Sequence, residues 1–94
     1  MKGQIVTQQV YDSILDFTHG FSHTVKRILV PDAGNLVITP HEGEVYVWTG
    51  GLEGEYEVIG EVDVPDELVA RALAFARAKE EFDRLVKRFE DLVR

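Results

Sequence analysis

Cysteine is absent from the 94 residues. That excludes disulfide staples, thiolate metal ligands and cysteine nucleophiles, and it is compatible with a reducing compartment. The expectation is therefore a cytoplasmic protein. No apolar run approaches the about 18 residues that a membrane-spanning helix needs. The opening MKGQIVTQQV holds no long apolar stretch either, so no signal peptide is expected. Cations are missing from the middle of the chain: from Ile28 to Glu67 there are ten acidic residues and no Lys or Arg. Such a segment cannot grip a phosphate backbone, which argues against nucleic acid as a partner.

The rest of the composition is that of a globular chain, with 45% hydrophobic and 29% charged residues. Its length allows one domain, residues 1–94, with a modest core that often relies on a partner for support. The net charge of −7 is unevenly spread, about +1 up to Arg27, −10 to Glu67 and +2 thereafter. The acidic middle reads as a solvated face or as a surface for a basic partner.

Along the chain, Val10, Ile14 and Phe17 recur at helical spacing, with Thr7 as N-cap and Gly20 just past the end, which predicts a short N-terminal helix. HTVKRILV, LVIT, EVYVWT and YEVIGEVDV then read as four strands, separated by PDAGN, PHEGE and GGLEG as turns. Short connections imply an antiparallel meander. In the last strand Tyr56, Val58, Val62 and Val64 alternate with Glu55, Glu57, Glu61 and Asp63, and Ile59 alone interrupts the wet face.

The chain then runs from Asp66 to Arg94 without Gly or Pro, behind a Pro65 suited to a first helical turn. Leu68, Phe75, Phe82 and Phe89 recur every seven residues, with Leu85, Val86, Leu92 and Val93 beside them. Glu80 with Arg84, Asp83 with Lys87 and Glu90 with Arg94 stand four apart in the favourable order. Such a helix is roughly 42 Å long at about 1.5 Å per residue, whereas a compact chain of this size is roughly 32 Å across. Its end, residues 85–94, should therefore overhang, and a second copy or another protein is the simplest cover.

Candidate chemistry is sparse. His19 and His23 lie four apart in FTHGFSHT, a spacing that zinc enzymes use on a helix. On a strand they would share one face, and with His41 or Glu42 as third ligand from across the sheet they would make a metal-dependent enzyme. The plainer account is a histidine at a helix end followed by one on a strand. GGLEG lacks the Lys-Ser/Thr ending of a phosphate loop and sits among carboxylates. The paired carboxylates of the fourth strand make no cleft by themselves. Tyr46 and Trp48 share one side of EVYVWT, as core or as a binding patch.

The architecture expected from sequence is thus a two-layer α+β fold in the order α-β-β-β-β-α: a four-stranded antiparallel meander, a short N-terminal helix and a long C-terminal helix. The function expected is a non-enzymatic protein-interaction module without cofactor, a homodimer or the binder of a larger basic protein, acting as regulator, inhibitor or structural subunit. Its contact residues would be Phe82, Leu85, Val86, Phe89, Leu92 and Val93 on the helix and Glu55, Glu57, Glu61 and Asp63 on the sheet.

Overall fold

A computed structural model describes residues 1–11 and 22–92. Five strands and one α-helix make up the described chain: β1 (Lys2–Tyr11), β2 (Ser22–Val30), β3 (Leu36–His41), β4 (Glu44–Trp48), β5 (Glu57–Asp63) and α1 (Asp66–Leu92). A 3-10 turn, Pro31–Ala33, joins β2 to β3. All neighbouring strands are antiparallel, and the sheet order is β4-β3-β2-β1-β5. The fold is α+β, as expected, but in two respects it corrects the sequence reading.

First, residues 7–11, where a helix was expected to begin, are strand. Thr7 faces Lys26, Gln8 faces Val25 and Val10 faces His23 across the β1–β2 pair. β1 is a full central strand, because β5 pairs along its other side from Lys2↔Asp63 to Thr7↔Glu57. Ile5, Val6, Thr7 and Val10 are β-branched and suit a pleated surface, and continuous pairing with β2 as far as Tyr11, with β5 on the other side up to Thr7, outweighs the helical spacing of three apolar residues. Two of those three, Ile14 and Phe17, lie outside the described residues, as does the expected stop at Gly20. No N-terminal helix is present among the described residues.

Second, the strands are not a simple meander. β5 leaves β4 and pairs at the far edge, beside β1. The connection over residues 49–56 is a crossing loop and not a tight turn. It is held against the start of β3, where Gly50 N–H donates to Gly34 O at 3.1 Å and Gly51 N–H to Asn35 O at 2.9 Å. Both glycines have positive φ, 98° and 84°, which favours glycine at these positions. The Glu42-Gly43 turn between β3 and β4 is a tight hairpin with φ of 51° and 79°.

The core has two parts. On one sheet face Val30, Leu36, Ile38 and Val64 pack with Ala33 and with Val69 and Ala72 of α1. On the other face Val6, Leu29 and Val37 form a smaller cluster against Trp48 and Leu52, the latter from the crossing loop. α1 therefore covers one face, and the loop covers part of the other.

β5 carries a bulge. Ile5 faces Gly60 while Val6 faces Val58, so Ile59 is the inserted residue. Residues opposite one another share a face, which places Glu57 with Thr7 on one side and Glu61 and Asp63 with Gln4 and Lys2 on the other. Glu55 precedes the strand. The single acidic face expected of Glu55, Glu57, Glu61 and Asp63 is thereby split, because one extra residue inverts the alternation.

Gly3 lies where β1, β2 and the exit of β5 converge. A Cβ built there stands 2.8 Å from Val64 Cγ2 and 3.2 Å from Ile28 Cγ2. Gly3→Ala is expected to destabilise the fold by about 1–3 kcal/mol through overpacking, read as a lowered urea midpoint in Trp48 fluorescence. An unchanged midpoint would mean that this corner is not tightly filled.

Candidate functional site

α1 starts at Pro65, whose carbonyl accepts the first helical bond from Val69 N–H at 3.1 Å. The acidic Asp66 and Glu67 occupy its first turn, where the helix dipole favours negative charge. Val69, Ala72 and Ala76 are its buried residues, and Leu73 packs beside them. Their spacing of three and four makes one narrow stripe. The alanines bring the helix close to β3 and β4 but bury little surface of their own.

The seven-residue repeat occupies a different face. Phe75, Phe82 and Phe89 are 57%, 64% and 65% exposed, and Leu92 is 81% exposed. Leu68, Leu85 and Val86 are exposed as well. At about 100° per residue this second stripe lies roughly 120° around the helix from the buried one. The face from Phe82 to Leu92 is thus exposed along its whole length, while Phe75 at its start borders β4. Every described side chain beyond Ala76 is exposed. A helix tie to the rest of the fold is the bond from Thr49 Oγ1 to Glu80 Oε1 at 3.2 Å.

Unbroken exposure along α1 begins at Arg77, ahead of residue 85. The Cα radius of gyration is 15.5 Å, against the about 12 Å of a compact chain of this length. Val93 lies outside the described residues. Of the expected i,i+4 pairs, Asp83 instead takes Lys79 at 3.1 Å, and Arg71 pairs with Glu67 at 3.2 Å. A groove of about 500 Å³ runs between α1 and the edge strand β4, lined by Val45, Val47, Phe75, Ala76 and Lys79 among others. Phe75 belongs to both groove and stripe, so the two surfaces are continuous.

The second sheet face holds the polar candidates. Arg27 Nε donates to Gln8 Oε1 at 3.0 Å, Arg27 Nη1 to the buried Thr39 Oγ1 at 2.9 Å, and the guanidinium stands 5.2 Å from the Trp48 ring centroid. Partial burial pulls the Arg27 pKa below the ordinary guanidinium value. Trp48 Nε1 in turn donates to Gly51 O at 2.8 Å, and the Gln8 amide donates to Glu53 O. One arginine thus ties β1, β3 and β4 together and steadies the crossing loop. Nothing in the sequence marked Arg27 for this role; only the strand register brings Gln8, Thr39 and Trp48 around it. Tyr46, paired with Thr39, accompanies Trp48 on this face, and its hydroxyl donates to Glu44 at 2.7 Å. That carboxylate raises the Tyr46 pKa.

His23 and His41 line one cleft of about 390 Å³ with Arg27, Thr39 and Tyr46. His19, the remaining member of the expected metal set, lies outside the described residues. Among the described residues no three His, Asp or Glu side chains are grouped to hold a metal ion, and no helix is long and apolar enough to cross a membrane. No family model, curated protein or solved structure matches the chain.

Arg27→Ala should leave Thr39 with an unmet hydrogen bond beneath an uncovered Trp48. The expected cost is about 1–3 kcal/mol, with a shift of the Trp48 emission maximum. A variant with unchanged stability and emission would show that the arginine merely rests on the surface.

Proposed function

We propose that this chain is a non-enzymatic protein-interaction module that works as a homodimer, joined along the exposed apolar stripe of α1, and that it serves as a regulatory or structural subunit. The observation that carries this reading is the heptad row Phe75, Phe82 and Phe89, each more than half exposed on a helix whose buried residues among those described end at Ala76. Burying one such side chain is worth about 1.5–3 kcal/mol. At the ~150–250 Å² that an aromatic side chain can bury, each of these half-covered rings offers on the order of 100 Å². Six rings from two copies, with Leu85 and Leu92 beside them, approach the roughly 1,000 Å² that a specific interface needs. A heptad repeat is also what two helices need to stay in register over several turns.

The acidic residues Glu55, Glu57, Glu61 and Asp63 supply a second, weaker attraction for a basic partner, the last three divided between the two sides of β5.

Light scattering on the full chain should give about twice the 10.6 kDa of one copy at micromolar concentrations. The double variant Phe82→Glu with Phe89→Glu should be monomeric while keeping the Trp48 emission of the native sheet. A full-length chain that stays monomeric into the high-micromolar range would discard the homodimer.

A further inference from the structure

We infer that the two copies pair with their α1 helices antiparallel, centred between Asp83 and Arg84, with Glu81 of each copy against the partner's Arg88. This rests on the homodimer proposed above and specifies its geometry.

The heptad row sets the register. Leu68, Phe75, Phe82 and Phe89 occupy one seam position, and Arg71, Ala78, Leu85 and Leu92 the other. In a parallel pair each residue meets its own copy. Phe75, Phe82 and Phe89 would each have to stack on an identical ring, and Arg71 would face Arg71 in the seam. In an antiparallel pair the two seam positions alternate across the interface. Phe82 then meets the partner's Leu85, Phe75 the partner's Leu92, and Phe89 the partner's Ala78, so that each bulky ring faces an aliphatic or small side chain. Arg71 then faces no residue of the partner's α1 as described.

The flanking charges are the second, independent observation. Glu81 and Arg88 both precede a seam phenylalanine by one residue. Antiparallel pairing in this register brings them opposite one another, twice per dimer by symmetry. Parallel pairing would set Glu81 beside the partner's Val86. Neither side chain makes an ion pair among the described residues, whereas Lys79 and Asp83 on the same helix pair with each other. Arg77, Arg84, Lys87, Glu90 and Asp91 make no ion pair there either, so it is their place beside the seam phenylalanines that selects Glu81 and Arg88. Because the sheet packs on the side of α1 roughly opposite the seam, the two sheets lie at opposite ends of the paired helices and do not collide.

Single charge reversals separate this geometry from self-association as such. Glu81→Arg alone sets Arg against Arg, and Arg88→Glu alone sets Glu against Glu. Each should weaken the homodimer on the order of tenfold, since two pairs change from attraction to repulsion. An equimolar mixture of the two variants should form a heterodimer tighter than either homodimer, because both cross-pairs are then complementary. Variants that associate like the original chain, or that show no preference for each other, would overturn the register while leaving the dimer standing. A full chain that never dimerises would overturn both.

The cysteine-free sequence allows a second measurement. A nitroxide on Ala70→Cys, exposed on α1, should lie about 40 Å from its partner in the antiparallel pair, from 27 residues of axial separation at about 1.5 Å each. A separation below about 20 Å would mean parallel helices and would overturn the proposal.

Discussion

The contact between α1 and the sheet is narrow, and the rest of the molecule's behaviour depends on that narrowness. Val69, Ala72 and Ala76 are the helix's buried residues. They occupy the first three turns, Val69 and Ala72 against Val30, Leu36, Ile38 and Val64 and Ala76 beside β4. Two of the three are alanines, which permit close approach but bury little apolar area. A longer buried stripe would have laid the whole helix on the sheet. A shorter one would have left it unanchored. As built, a continuous helix of 27 residues is packed over its first turns and carries Phe82, Leu85, Phe89 and Leu92 exposed beyond them.

The strand order explains the direction of the overhang. β5 pairs beside β1 at one edge, and its exit through Val64 and Pro65 starts the helix there. The residues that bury α1 belong to β2 and β3 and to the end of β5, and the helix next meets the edge strand β4. It must therefore travel back across the sheet, and it reaches β4 near Thr49 and Glu80. Had β5 paired with β4, as a simple meander requires, the helix would have begun at the β4 edge and pointed the other way. The crossing loop over residues 49–56 is thus linked to the exposed stripe. Its glycines, the Trp48 bond to Gly51 and the Arg27 bridge hold the loop that carries the chain to the far edge.

What could be read from the sequence was whatever local spacing decides. The long helix was legible because nothing interrupts Asp66 to Leu92 and because the phenylalanines repeat every seven residues. β2 to β5 were legible from their β-branched runs and intervening turns. β1 was not, since the few apolar residues from Val10 onward fit a helical period while Ile5, Val6 and Thr7 already favoured a strand. The neighbour of β5 was not legible either, because pairing between residues about 60 apart leaves no local trace. The bulge at Ile59 was visible only as an apolar residue on an acidic face, and it marked the place where that face divides. At the candidate site the stripe was legible as a heptad, but its separation from the buried stripe needed the sheet. Val69, Ala72, Leu73 and Ala76 share the same helix with an equally regular spacing, and only packing decides which of two stripes turns inward.

The sheet edges offer the other route by which two copies could join, and their chemistry disfavours it. β5 presents an edge broken by a bulge and lined with Glu57, Glu61 and Asp63, all exposed. Two such edges brought together would repel, and the bulge disrupts the ladder that strand addition needs. At the opposite edge β4 is short, and α1 packs against it. The second face of the sheet is no better suited, because Arg27, Gln8 and Thr39 spend their hydrogen bonds on one another and on holding Trp48. The helix seam combines a large apolar area, a regular repeat and flanking charges of opposite sign without partners among the described residues. Association directed there leaves every hydrogen bond of the sheet intact and removes from water the surface that costs most to leave exposed.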